Sequence, residues 1–259
     1  MIDRSDSGRT DLVWSFFSPD RALAKDEIHV WLVGLQDADI RLESCEACLS
    51  SAERDRAARF KFARDRKRYL IAHGALRSIL AMYLGVDAAA IDFDSGPAGK
   101  PKLARNFASS ELEFNLSHSG EVALIALTRG EEIGVDVERI REDFEFKPIA
   151  QRFFTSNEVA ALQDLPVNLQ REAFYKCWTS KEALLKAKGT GLSGSLDEVQ
   201  IVLTTGPGVR VTFAAGEWSL TELSPISGYA AALAAKKLDC RPNCYRWLPA
   251  LLGAKRHHS

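Results

Sequence analysis

Ile133-Gly134-Val135-Asp136-Val137-Glu138 is the stretch of this chain whose residue types point most directly to chemistry. On a strand, residues two apart share a face, so Asp136 and Glu138 present two carboxylates together while Val135 and Val137 point into an apolar layer. Carboxylates that close repel, and a hard divalent ion such as Mg2+ resolves the repulsion through oxygen ligands. A half-exposed strand with two solvated acids has the same spelling, so the pattern alone leaves both readings open. A second group is helical: Trp178, Glu182 and Lys186 are four apart and line up on one face. A Glu–Lys pair at this spacing is commonly a surface ion pair worth about 0.3–0.5 kcal/mol. The tryptophan on the same face points instead to a partly buried site.

Asn115-Leu116-Ser117-His118-Ser119-Gly120 offers hydroxyls, backbone N–H groups and an imidazole to a phosphate. A hydrolase elbow would need glycine where Asn115 stands, and a histidine bonded to a local carbonyl is the plain alternative. Arg54 to Arg77 holds nine basic residues against Asp55 and Asp65. That is a solvated helix face, or a receiver for a phosphate-bearing ligand or an acidic protein. Gly189-Thr190-Gly191-Leu192-Ser193-Gly194 spells G-x-G-x-x-G, yet it follows a helix and leads to a strand, the reverse of the dinucleotide order. It reads as a helix-ending loop. Cys45/Cys48 and Cys240/Cys244 are pairs far apart with no histidine close by, so they read as reduced thiols rather than a zinc site.

These residues fall on a faint internal duplication. Leu49-Ser50-Ser51-Ala52-Glu53 resembles Phe154-Thr155-Ser156-Asn157-Glu158, each with hydroxyls placed to cap a helix. A helical pattern from Lys67 to Gly85 matches one from Arg171 to Gly189, both stopping on glycine. The offsets are 105 residues from Glu53 to Glu158, 104 from Gly85 to Gly189 and 108 from Gly120 to Gly228. Strands are expected at 28–33, 112–115, 122–127, 133–137, 199–203, 209–213 and 218–223, with a further apolar run at 229–235. The fold class is therefore α+β, a pseudo-dimer of two similar halves, 1–130 and 131–259, with a ligand cleft between them.

The 259 residues are 46% hydrophobic and carry 34 basic against 35 acidic side chains, a formal charge of −1. That balance excludes bulk electrostatic affinity for nucleic acid or anionic membrane. No apolar run reaches the ~18–20 residues of a membrane span. The charged start, Met1-Ile2-Asp3-Arg4, is no secretory signal, which reads as cytoplasmic.

In this order, Gly99-Lys100-Pro101, the Asn115–Gly120 turn, Gly134–Glu138, Phe153-Phe154-Thr155 with Glu158, and Trp178–Glu182 with Lys186 resemble the Sfp-type 4′-phosphopantetheinyl transferases. The similarity runs from about Ile28 to Ala235. It implies transfer of the phosphopantetheine arm of coenzyme A to a serine of an apo acyl, polyketide or peptidyl carrier protein, by a monomer. It further implies Asp136, Glu138 and Glu182 as ligands of Mg2+ (or Mn2+), Lys186 on the pyrophosphate, and Glu182 as base. Arg56, Arg68, Lys100, Ser117, His118 and Lys181 would contact coenzyme A. Glu53 departs from the family pattern, standing where some members carry a basic residue, with Arg54 as a substitute. The competing readings are a silent coenzyme A or carrier-protein binding module and another Mg2+-dependent pyrophosphate-cleaving enzyme. The tail 241–259 lies beyond the resemblance and has no expected role.

Overall fold

The computed structural model describes residues 12–17, 22–96, 99–190, 200–205, 209–214, 217–236 and 241–252. The first half contributes β1 (Trp14–Phe16), β2 (His29–Gly34), α1 (Leu42–Cys48), α2 (Ser51–Ala58), α3 (Ala63–Leu84), β3 (Phe93–Ser95), β4 (Pro101–Leu103), β5 (Leu112–Ser119) and β6 (Val122–Arg129). The second contributes β7 (Ile133–Arg139), α4 (Lys147–Phe153), α5 (Ser156–Asp164), α6 (Val167–Lys188), β8 (Gln200–Thr205), β9 (Val209–Ala214), β10 (Ser219–Leu223) and β11 (Tyr229–Ala235), followed by β12 (Asn243–Arg246).

The duplication is visible in the pairing. The first half orders its antiparallel strands β2-β6-β5 and the second orders its own β7-β11-β10, each with the second hairpin strand in the middle. Each half lays one 22-residue helix on its sheet, α3 or α6. Both helices end on a glycine in the left-handed region, Gly85 at φ 69° and Gly189 at φ 67°, where a side chain would be strained. Residues 191–194 of the glycine-rich stretch lie outside the described residues. Each half also carries a capping box, Ser50 with Glu53 and Thr155 with Glu158, at the start of α2 and α5.

Strand alternation sorts the core into layers. On β2, Trp31 and Val33 pack towards α3, while Val30 and Leu32 join Val135 and Val137 of β7 in a middle layer between the sheets. On β11, Ala230, Ala232 and Ala234 face α6, and Ala231, Leu233 and Ala235 face the middle layer. The order is helix, sheet, sheet, helix. β6 is apolar throughout from Val122 to Leu127 because both of its faces are buried.

The tail crosses back from the second half to the first. β12 returns to the first half and lies parallel between β1 and β2, completing a sheet of order β1-β12-β2-β6-β5. Tyr245 and Trp247 enter the α3 core, and the Trp247 indole N–H donates to Ser78 Oγ at 3.0 Å. The physical reason is the edge of β2, whose unpaired N–H and C=O groups the tail satisfies. Cys45, Cys48, Cys177 and Cys244 are free thiols. No helix among the described residues is long and apolar enough to cross a membrane.

Candidate active site

β7 turns Gly134, Asp136 and Glu138 to one face, and α6 lies across that face. A methyl group at Gly134 would sit 2.0 Å from the Ala183 carbonyl oxygen and 2.4 Å from the Ala187 nitrogen. Only glycine lets the helix backbone come this close. The approach places Glu182 and Lys186, one helical turn apart, beside Asp136. Lys186 Nζ lies 2.6 Å from Asp136 Oδ1 and donates to Ser117 Oγ at 2.9 Å.

The opposite wall is β5. Asn115, Ser117 and Ser119 are alternate residues, so all three side chains face β7. Asn115 Oδ1 accepts from the Val135 N–H at 2.8 Å, Ser117 Oγ from Val137 at 3.3 Å and Ser119 Oγ from Arg139 at 3.1 Å. The two serine hydroxyls then donate, Ser117 to Asp136 Oδ1 at 2.8 Å and Ser119 to Glu138 Oε2 at 2.7 Å.

Three acids are thus concentrated in a poorly hydrated place. Burial, then the neighbouring Asp136 charge, raises the Glu182 carboxyl to about 7, with Glu138 adding to the rise and Lys186 opposing it. Burial also raises Glu138, against the hydrogen bond from Ser119. Asp136 Oδ2 and Glu182 Oε1 are buried with no hydrogen-bond partner among the described residues. Orphaned anionic oxygens beside one another suit a hard cation. Among the described residues no three His, Cys, Asp or Glu side chains are already drawn into a ligand shell. The protein would supply part of the coordination, as is usual for Mg2+, with substrate oxygens and water completing it.

Next to the acids is a cationic nest. Burial lowers the pKa of His118, and the nearby charges of His73, Lys186, Arg68 and Arg56 lower it further. Arg68 Nε is buried and has no partner among the described residues. The Arg56 guanidinium lies 5.7 Å over the Tyr69 ring, which stacks on His73 at 4.0 Å. His73 is held by Glu53 at 3.4 Å and Arg68 lies 3.7 Å from Asp65, and the cations that still converge on His118 make a place suited to a polyanion. The structure therefore brings Arg56, Arg68, His118, Lys186, Asp136, Glu138 and Glu182 into one neighbourhood across the two halves.

Three expected coenzyme A contacts are placed otherwise. Lys181 is fully buried on the far side of α6 and pairs with Glu158 at 2.9 Å. Five residues from Lys186 is about 140° around a helix, so the two lysines cannot serve one face. Ser117 spends its hydroxyl on Asp136, Val137 and Lys186. Lys100 Nζ donates to the Ile133 carbonyl at 2.8 Å, with Glu113 and Glu132 as its charged neighbours, and pins the β3–β4 hairpin to β7.

The departure at Glu53 is resolved by the duplication. Glu53 closes its capping box and binds Arg77 at 2.7 Å, as Glu158 closes its own and binds Lys181. Burial would raise the Glu53 carboxyl, but His73, Ser50 and Arg77 outweigh it and hold it down to about 2. Arg54 donates to the Leu49 carbonyl. Ser119 and Asn115 were not among the expected site residues, although their spacing by two from Ser117 was a readable signal.

Comparison with known proteins places the chain in a family. A family model described as the 4′-phosphopantetheinyl transferase superfamily matches residues 132–234, and one described as the N-terminal part of 4′-phosphopantetheinyl transferase matches residues 38–129. The chain is 40% identical over 235 residues to 4′-phosphopantetheinyl transferase HetI of Nostoc sp., covering 90% of this chain and 98% of that protein. It is 34% identical over 157 residues to a 4′-phosphopantetheinyl transferase of Bacillus subtilis, covering 61% and 67%. With 4′-phosphopantetheinyl transferase Sfp of Bacillus subtilis it shares 31% over 159 residues, covering 60% and 66%. Both halves are matched, one relative is covered almost end to end, and the chain belongs to the 4′-phosphopantetheinyl transferase superfamily, on the Sfp side of it.

Proposed function

We propose that this protein transfers the 4′-phosphopantetheine arm of coenzyme A to a serine hydroxyl of an apo acyl, polyketide or peptidyl carrier protein, releasing 3′,5′-ADP. The observation that carries the reading is the junction of three acids, two with orphaned oxygens, with Lys186 and a cationic nest on the other half. The first half holds the nucleotide phosphates through Arg56, Arg68 and His118. The second supplies the acids and α6, so one chain completes the cleft as a monomer.

Asp136, Glu138 and Glu182 would hold Mg2+, or Mn2+ in its place. When bound, the ion neutralises pyrophosphate charge and orients the phosphoryl group. The serine oxygen bonds to the phosphorus that carries pantetheine, and the bond from that phosphorus to the bridging oxygen of 3′,5′-ADP breaks. Glu182 takes the serine proton directly or through a water. Lys186 stabilises the charge that develops on the leaving phosphate. Incubation with coenzyme A, Mg2+ and a panel of apo carriers should add one phosphopantetheine group to a carrier by intact mass, and EDTA should abolish the gain. Coenzyme A binding without any mass gain would leave a silent binding module.

His118 gives this reading a pH signature. Burial, and then its cationic neighbours, disfavour the imidazolium in the free protein, whereas bound phosphates would favour it. The pKa then rises on binding, so a proton is taken up and affinity increases as pH falls through the bound-state value. Calorimetry in buffers of different ionisation enthalpy measures the uptake. His118→Ala should remove it, which separates His118 from the adjacent His73. A wild-type protein that binds coenzyme A with no proton uptake near pH 6 would refute the placement of phosphate here.

A further inference from the structure

β5 and β7 are edge strands of two different sheets, and no backbone ladder joins them. The row Asn115, Ser117, Ser119 replaces that ladder, one side-chain oxygen for each of the N–H groups of Val135, Val137 and Arg139. The residue type along the row follows what stands on β7. Asn115 faces the stretch at Gly134–Val135, where there is no acid. Serines stand where there is one, because a hydroxyl that accepts from the backbone still keeps a proton to donate. Ser117 gives that proton to Asp136, which is also held by Lys186. Glu138 has a longer side chain, and Ser119 is its hydrogen-bond partner among the described residues.

We propose that Ser119 is the positioning residue for Glu138, anchoring the carboxylate through Oε2 so that its other oxygen is available to the divalent ion. The proposal rests on the reading that Asp136, Glu138 and Glu182 hold that ion. Partners that orient a ligand in this way typically change metal affinity about 10–100-fold when removed. Without Ser119, Glu138 would have to be ordered by the ion itself.

The test uses the full chain with coenzyme A bound and follows Mn2+ by loss of the free-ion EPR signal. Ser119→Ala should raise the Mn2+ dissociation constant about tenfold or more, and Ser119→Thr, which restores the hydroxyl, should stay within about twofold of the parent. Coenzyme A affinity measured in EDTA should be unchanged within about twofold. Unaltered Mn2+ affinity in Ser119→Ala would overturn the proposal, as would a threonine variant no better than alanine. A matching loss of coenzyme A affinity in EDTA would make Ser119 a substrate contact instead. Asp136→Asn is measured alongside, and parental Mn2+ affinity in that variant would overturn the ion site rather than the role of Ser119. Should Ser119→Ala fail to fold, Ser119→Cys, a weak donor of similar shape, replaces it with the same expectation.

Discussion

Glu182→Gln is expected to lower carrier modification by about 10³-fold or more while coenzyme A still binds in EDTA, and to make the metal-free protein more stable at alkaline pH. The catalytic loss combines a base with a charged ligand, each of which is worth about 10²–10⁴ in comparable sites. The stability gain has a separate origin. Burial and the Asp136 charge lift the Glu182 carboxyl from 4.5 to about 7 in the folded protein. A carboxyl raised on folding contributes fully below its unfolded value, and that contribution is lost as pH rises through the folded value. Above pH 7 the folded protein therefore carries an ionised group it would rather keep protonated, and glutamine removes the penalty, about 3 kcal/mol for a fully buried group and about 1–2 kcal/mol for this partly solvated one. Melting in EDTA at pH 4 and pH 8 reads the effect, with variant and parent separating far more at the higher pH. Near-normal transfer would sink the assignment of Glu182 as base and ligand. Coincident melting at pH 8 would sink the electrostatic account of the cluster.

The fold was legible where local chemistry dictates it. Hydroxyl caps before Glu53 and Glu158, and glycine stops at 85 and 189, are set by unsatisfied helix ends and need no knowledge of the rest of the chain. The tail was not legible for the opposite reason. Asn243–Arg246 is four residues without strong alternation, and its insertion between β1 and β2 is decided by a distant free edge. Trp247 reaches Ser78 across 169 residues, a pairing that no window of sequence contains.

Much of the site followed the same rule. Asp136 with Glu138, and Glu182 with Lys186, meet because i,i+2 on a strand and i,i+4 on a helix fix a shared face. Lys181 was read with them through its motif, although helix geometry already put it on another face, against Phe154 and Glu158. Ser117 and Ser119 were harder. Whether a serine faces substrate or a neighbouring strand depends on how β5 sits against β7, and those strands belong to separate sheets joined only by side chains. Polar interfaces of this kind leave no hydrophobic period to read.

Gly134→Ala should be the most damaging added methyl among the described glycines. The added carbon would lie 2.0 Å from the Ala183 oxygen, 2.4 Å from the Ala187 nitrogen and 3.0 Å from the Ala187 Cα, all backbone atoms of α6. No change of side chain on α6 can relieve contacts with its main chain, so strand and helix must part, and a destabilisation of at least about 4 kcal/mol is expected. Gly74, where a methyl would meet the Cys45 Cβ at 2.8 Å and its Cα at 2.9 Å, is the natural comparison. That contact joins α3 to α1 and leaves β7 and α6 alone, so Gly74→Ala should destabilise while any loss of transfer per folded molecule appears in KM for coenzyme A, through Arg68 and His73 on α3, and not in kcat. Gly134→Ala should lower stability and kcat together, because Glu182 and Lys186 ride on the displaced helix and a shift of about 1 Å can cost about 10²-fold in rate. Denaturant unfolding with kcat normalised to the folded fraction separates the two variants. A Gly134→Ala protein within about 1 kcal/mol of the parent and fully active would mean that the close approach of α6 to β7 is not what assembles the acids and Lys186.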